Sequence, residues 1–307
     1  MNKVYQIVNE KILEGLRQGQ IPWRKPWAVN DILTFHRNVI TKKPYRGINV
    51  ILLSLACQAN KNYHKLWLTY RQAKQLGGFI YKNSKPQLVV YWSLYIKLNG
   101  KLVKLQDIQD FIDDNEDKEI IPILRYYNVF NIANLGPDDL RKKIIKRFED
   151  IANNTKKIDP IDRAEKIVEK YIDKPPIYQE DIDKAYYSLF RDEIHLPKRD
   201  YFISAEEYYS TLFHEMVHST GHPKRLARLN SNYTHEDYSL EELTAEIGSA
   251  YLLNIANIDI EAVTKNNIAY IQSWYKQLSN NPKWITWAAS RAQKAVDYIL
   301  RIKQKID

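Results

Sequence analysis

Phe213-His214-Glu215-Met216-Val217-His218-Ser219-Thr220-Gly221-His222 is the stretch whose reading decides the fold of the second half of the chain. In an α-helix, residues four apart lie on one face, so His214 and His218 can grip one metal ion. Glu215 is turned about 100° from His214 and brings its carboxylate beside the ion's open position, where a water needs a base. That is peptidase chemistry. With seven His in 307 residues the spacing arises by accident in roughly one such chain in a hundred. The flanks favour the helix independently. Ser204-Ala-Glu-Glu207 forms a capping box, Gly221 and Pro223 are stop signals, and Tyr209, Leu212, Phe213, Met216 and Val217 make an apolar face beside the histidines.

A catalytic zinc site needs a third protein ligand and one position left open. The next strong helical pattern, Ser239 to Tyr251, offers Glu242 and Glu246 on one face, with Leu243, Ile247, Ala250 and Tyr251 on another. Either acid can serve. Glu242 is favoured as the ligand, and Glu246 is then expected to orient a ligating histidine. Ser239-x-x-Glu242 also reads as a capping box, which would make Glu241 a solvated first-turn acid. The longer metzincin pattern fails, because Lys224 stands where its last histidine belongs. His222 is therefore expected to contribute hydrogen bonds near the site, and Tyr238, His222 and Arg225 are candidate donors to a developing oxyanion. Asp192-Glu-Ile-His-Leu-Pro197 resembles the edge strand that zinc peptidases lay beside the metal, with His195 exposed on it.

Charge divides the chain. Residues 1–105 hold 18 Lys and Arg against Glu10, Glu14 and Asp31, a balance of +15, so the remainder sums to −6 within the overall +9. A basic segment of this kind favours a phosphate-bearing partner. Aromatics are interleaved with the cations. Trp23-Arg24-Lys25-Pro26-Trp27 cannot be helix interior with Pro22 and Pro26 present, so both indoles are expected on an extended segment. Lys42, Lys43, Tyr45 and Arg46 repeat the pairing, as do Trp67 with Arg71, and Lys82 with Lys85. Rings for stacking and cations for phosphates are how single-stranded DNA is held without sequence preference.

The expected fold is α+β. Residues 1–130 form an α+β DNA-binding domain with helices at Val4–Leu16, Gly47–Ala59 and Leu68–Leu76. A hairpin is expected from Phe79–Lys82 and Leu88–Leu98, extended towards Asn99-Gly100, and a short strand at Tyr126–Ile132 follows an acidic turn at Asp113–Asp117. Residues 131–307 form a mostly helical domain with a small sheet, its first part (131–175) being linker or packing helices. One cysteine, Cys57, excludes an intrachain disulfide. No signal pattern stands at Met1–Gly19 and no apolar run approaches about 18 residues, so a soluble cytoplasmic protein with no membrane partner is expected.

Taken together, several motifs resemble the ArdC antirestriction family. Trp23-Arg-Lys-Pro-Trp27, Tyr45-Arg-Gly-Ile-Asn49, Trp67-Leu-Thr-Tyr-Arg-Gln-Ala73 and Tyr127-Asn-Val-Phe-Asn131 are similar to its amino-terminal domain. His214 to His222, Arg225-Leu226, Glu241-Glu-Leu-Thr-Ala-Glu246 and Ala288 to Asp297 are similar to its carboxy-terminal metallopeptidase domain. The resemblance implies a single-stranded DNA-binding module joined to a zincin domain, carried on mobile elements and protecting incoming DNA from host restriction. By analogy with gluzincins it also supports Glu242. Zn2+ is the expected ion, with another divalent transition metal such as Mn2+ as the alternative. His214, His218 and Glu242 are the expected ligands, and Glu215 the base, with Tyr238 assisting. The protein substrate is open, a host restriction component being one candidate. Protection by DNA binding alone, around a non-catalytic metal, and proteolysis of DNA–protein crosslinks are the competing readings.

Overall fold

The computed structural model describes residues 2–23, 35–98, 101–104, 120–153, 159–229, 234–259 and 268–302. The first half runs through α1 (Lys3–Arg17), β1 (Arg37–Asn38), α2 (Ile48–Ala59), β2 (Leu66–Leu68), α3 (Tyr70–Gln75), β3 (Phe79–Ile80), β4 (Gln87–Leu98), β5 (Lys101–Lys104), β6 (Ile120–Asn131) and β7 (Leu135–Gly136). Then come α4 (Asp138–Asn153), α5 (Pro160–Lys170), β8 (Ile177–Glu180), β9 (Tyr186–Ser188), β10 (Glu193–Pro197), α6 (Ala205–Ser219), α7 (His235–Ala256), α8 (Ile268–Asn280) and α9 (Trp284–Leu300). The fold is α+β, as its patterning requires.

Five strands form the first sheet in the order β1-β2-β6-β4-β5, antiparallel apart from the β1–β2 pair. The hairpin expected between Phe79–Lys82 and Leu88–Leu98 does not form. Phe79 and Ile80 pair with Gly136 and Leu135 instead, while β4 pairs along its length with β6. The reason is steric. A Cβ on Gly136 would lie 2.6 Å from the Phe79 ring, so only glycine lets the aromatic cover that strand. The short strand expected at Tyr126 begins earlier, at Ile120, whereas Asn99-Gly100 and the acidic turn at Asp113–Asp117 lie outside the described residues. On the far side, α4 packs Leu140, Ile144, Ile145 and Phe148 onto Val39, Leu66, Leu68, Ala73, Ile132 and Leu135.

The second half supplies the small sheet, in the order β8-β10-β9. Here Glu193–Pro197 is the central strand, parallel to β8 and antiparallel to β9, and not the expected edge. His195 is accordingly buried. Its ring stacks between Tyr178 and Tyr186, with Nδ1 2.8 Å from a Glu180 carboxylate oxygen.

One apolar core joins α1 and α2 to the helices of the second half. α1 contributes Val4, Val8, Ile12 and Leu16, and α9 contributes a small-residue face of Ala288, Ala289, Ala292 and Ala295 that lets neighbours approach closely. Polar ties cross the same boundary. The Tyr251 hydroxyl donates to the Gly47 carbonyl at 2.8 Å, and the Gly47 N–H donates to Gln293 at 3.0 Å. Among the described residues, no helix is long and apolar enough to cross a membrane.

Helices α6 and α7 meet where Gly248 faces Val217. A Cβ at Gly248 would stand 2.8 Å from Val217 Cγ2, closer than packed carbon atoms approach. Gly248→Val is expected to destabilise the fold by about 1–3 kcal/mol through overpacking. A lowered urea midpoint with an unchanged slope checks this; an unshifted midpoint would mean the helices separate at no cost.

Candidate metal centre

Helix α6 starts where the sequence places it. Ser204 is the N-cap and accepts from Glu207 N at 3.2 Å, and the Glu207 carboxylate accepts from Ile203 N at 2.9 Å. Two turns on, His214 and His218 project from one face with their Nε2 atoms 3.0 Å apart. Glu215 sits beside them, 7% exposed.

Helix α7 starts earlier than the sequence reading gives. Thr234 is its N-cap, in a capping box with Asp237, and Ser239 lies a full turn inside, its hydroxyl donating to the His235 carbonyl. Glu241 and Glu242 are therefore mid-helix residues, and the burial of α6 against α7 brings both to the histidines.

Glu242 presents one carboxylate oxygen 3.4 Å from His214 Nε2 and the other 3.4 Å from His218 Nε2. Donors of a tetrahedral ion with bonds of about 2.0–2.2 Å stand about 3.3–3.6 Å apart, so both carboxylate–imidazole separations match a divalent-metal site and the 3.0 Å between the imidazoles is slightly shorter. Two imidazoles and a carboxylate suit zinc and its first-row neighbours. Among the described residues this is the one cluster of three or more such donors within 4.8 Å of one another.

Glu241, expected as a solvated acid, is 2% exposed and lies 3.4 Å from His218 Nδ1. Its carboxylate accepts from Arg228 Nη2 at 2.8 Å and Nε at 3.1 Å. Arg228 also donates to the Val217 carbonyl and the Thr220 hydroxyl, tying the end of α6 to the pair. With Nδ1 facing Glu241, His218 Nε2 faces His214 and Glu242, where a metal ion that displaces its proton meets the lone pair. Burial by itself would lower the His218 pKa, but Glu241, Glu242 and Glu215 outweigh it and push the value up to about 10. Glu242 shows the opposite balance. Burial raises its pKa, and the hydrogen bonds from His214 and His218 bring it well below the carboxylate range.

Glu246, expected to orient a histidine, does something else. One turn beyond Glu242, its carboxylate accepts from Trp23 Nε1 at 2.8 Å and from the Tyr270 hydroxyl. The Thr234-x-x-Asp237 capping box was the sequence signal that would have moved Glu241 inward and assigned it this contact.

Tyr238, one turn before Glu242, is 59% exposed, and its phenol lies in the field of the Glu242 carboxylate. Burial, Glu242 and Glu215 raise its pKa, which keeps it a donor. Arg225 is not available as one. Its guanidinium is used by the Ser219 and Asp173 carbonyls, Tyr187 and Asp192, a clamp between the loop after α6 and the small sheet. His222 stays outside the donor cluster, with Nδ1 accepting from Lys224 N at 3.1 Å and lying 4.0 Å from Asp192.

Comparison with known proteins places both halves. Residues 162–291 match the zincin-like metallopeptidase family, and residues 2–130 match the N-terminal domain of the anti-restriction factor ArdC. The metal-free crystal structure of the ArdC antirestriction protein of plasmid R388 superposes with a TM-score of 0.68 at 30% identity, covering 96% of each chain. The chain belongs to the ArdC antirestriction family. The Mn(II)-bound structure of that ArdC protein gives a TM-score of 0.70 at 29% identity, covering 97% of each chain. Two Escherichia coli proteins named DNA primase TraC are 31% and 32% identical over 98% of this chain, which spans only 20% and 27% of their lengths. An uncharacterized protein of Sinorhizobium fredii is 29% identical over 96% of this chain and 91% of its own.

The ArdC-type amino-terminal half corrects the expected DNA contacts. Trp23 and Trp67 are both 0% exposed; the first hydrogen-bonds to Glu246, the second donates to His36 Nδ1 at 3.1 Å. Neither can stack on a base. Tyr45 is buried as well, and the Arg46 guanidinium is paired with Asp297 on α9. Lys42, Lys43, Arg71, Lys82 and Lys85 are exposed, while Arg24, Lys25 and Trp27 lie outside the described residues. Composition flagged the aromatics correctly as ring-rich segments, but the largest of them fill the core, because an indole buried with its N–H satisfied contributes more there than at the surface.

Glu241→Gln is expected to keep the fold and weaken Zn2+ affinity by about 10–100-fold, since the His218 tautomer is no longer fixed by a charge. Glu246→Gln leaves that affinity within about twofold, because its contacts are to Trp23 and Tyr270. Competition with a chromophoric chelator measures both; equal losses in the two variants would return the orienting role to Glu246.

Proposed function

We propose that this chain is an antirestriction protein of a mobile element that binds single-stranded DNA and cleaves peptide bonds at a divalent-metal site, protecting incoming DNA from host restriction. The observation that carries the peptidase part is the convergence of His214, His218 and Glu242 within 4.8 Å, with Glu215 beside them. DNA association is supported by family membership, by the +15 balance of residues 1–105, and by a similar region inside two Escherichia coli proteins named DNA primase TraC. The functional division follows residues 1–130 for DNA and 131–307 for the metallopeptidase.

The ion is Zn2+ in this reading, with Mn2+ as the alternative that the R388 relative's Mn(II)-bound structure suggests. Bound there, a divalent ion supplies Lewis acidity to the scissile carbonyl and to water. His214, His218 and Glu242 hold it, and Glu241 braced by Arg228 keeps His218 in the ligating tautomer. Glu215 takes a proton from the attacking water and passes it to the leaving amine. The Tyr238 phenol, held protonated, donates to the oxyanion that develops on the carbonyl.

Glu215→Gln is expected to lower proteolysis by about 10²–10⁴-fold while metal content and DNA binding stay at wild-type values. A fluorogenic or casein cleavage assay, run beside a restriction-protection assay in conjugation, checks it. Wild-type cleavage by the variant would remove Glu215 from the mechanism, and full protection by a cleavage-dead variant would leave DNA binding alone as the protective activity.

A further inference from the structure

Strands β4 and β6 are longer than the body they belong to, and this leaves a sheet face open. Side chains alternate between the faces of a strand, and the register sorts them without ambiguity. Val89 faces with Tyr127, Tyr91 with Arg125, Ser93 with Ile123, and Tyr95 with Ile121 and Lys104, followed by Lys97 with Leu102. The first of these positions is closed over. Val89 and Val129 lie in a small core with Tyr45, Leu53 and Trp67. Beyond it, Tyr91, Tyr127 and Arg125 are exposed and Tyr95 is half-buried, with Ser93 buried between the two β4 tyrosines and Ile121 and Ile123 half-buried on β6.

The geometry of that row is ordered. Tyr91 and Tyr127 are 44% and 39% exposed, with ring centroids 5.7 Å apart. The Arg125 guanidinium lies 5.5 Å from the Tyr95 ring centroid and donates to its hydroxyl at 2.8 Å. Beneath the row, Tyr45 is buried in the small core with Val89 and Val129, so a residue the sequence offered as a stacking ring is packing under the face instead. Lys97 is exposed at the far end, and exposed Lys42 and Lys43 precede Tyr45 at the near end. Among the described residues of this face there is no carboxylate.

Successive same-face residues of a strand stand about 7 Å apart, so Tyr91 and Tyr95, with Ser93 between them, stand about 14 Å apart and Tyr127 lies beside the first, an array on which unstacked bases can find rings while phosphates follow the cations. Base pairs in a duplex are already stacked and cannot use it. An acidic protein would be served by the cations but would leave the rings without planar partners.

We propose that this open face of β4 and β6, built from Tyr91, Tyr95, Arg125 and Tyr127, is the surface on which single-stranded nucleic acid stacks. The proposal rests on the DNA-binding reading above and gives it an address different from the tryptophan segments.

The test is fluorescence anisotropy with a labelled oligothymidylate of about 20 nucleotides at fixed salt, a length that exceeds the site size of a typical single-strand module. Tyr91→Ala/Tyr127→Ala is expected to weaken binding at least tenfold, and Tyr91→Phe/Tyr127→Phe to restore it to within about threefold, since every ring is kept. Trp92→Ala/Tyr126→Ala removes two rings of similar exposure from the opposite face and is expected to leave binding unchanged. Photocrosslinking of wild-type protein to a 5-iodouracil oligonucleotide, with peptide mapping, reads the same surface without any variant. Crosslinks at Tyr91, Tyr95 or Tyr127 support the proposal. Undiminished binding by the double alanine variant, or crosslinks confined to other segments, overturns it while the DNA reading stands. Absence of binding by the wild-type protein would remove both.

Discussion

The distance between two helices governs the site. His214 and His218 come from α6 and Glu242 from α7, and they meet only because Gly248 lets the Val217 side chain of α6 sit against the α7 backbone. Even a Cβ there would have to move about 0.6–1 Å away from Val217 to reach ordinary contact, which exceeds the tolerance of about 0.5 Å within which a metal site must be held. The residue that fixes the geometry thus has no chemistry of its own. It is buried packing that makes a two-helix donor set possible, and the N-caps at Ser204 and Thr234, the latter in a capping box, fix where each helix begins.

Arginine–carboxylate pairs then hold the surroundings. Arg228–Glu241 is nearly closed to solvent and joins the end of α6 to α7; Arg225–Asp192 joins the following loop to the small sheet; Arg46–Asp297 joins the first half to α9. Such buried pairs contribute little net stability, since desolvation offsets most of the attraction. Their effect is on specificity of arrangement. Removing one partner leaves a buried charge without compensation, costing about 3–5 kcal/mol, so each alternative packing is penalised.

Legibility in the sequence followed the strength of local rules. The metal pair was readable because helical period and capping chemistry are properties of short segments, and Glu242 because its position on the next helix left few acids to choose from. Glu241 was not readable, since a misplaced N-cap put it in the first turn, where a carboxylate is ordinarily solvated. The long β4–β6 pairing was missed for a similar reason. Turn signals at Lys82–Lys85 suggested a local hairpin, but strand partners are chosen by side-chain packing, and the Phe79 ring packs over Gly136. Aromatic burial is the least local property of all. Trp23 and Tyr91 both belong to the basic first 105 residues, yet one is enclosed by helices from the other end of the chain and the other is 44% exposed.

Helix α7 shows how three similar carboxylates come to differ. Glu241, Glu242 and Glu246 lie within two turns, and the helical rotation aims each at a different neighbour. Glu241 meets a buried arginine and becomes a fixed counter-charge; Glu242 meets two imidazole nitrogens and completes a set of donors that could hold an ion; Glu246 meets an indole and a phenol. The last contact matters for the whole molecule, because Trp23 belongs to the basic half and is held one turn along the same helix from the metal donor. Hydrogen bonds from neutral N–H and O–H groups to a carboxylate are stronger than neutral pairs. The basic half is therefore anchored to the very element that completes the site, and a rigid helix keeps the two at a fixed separation.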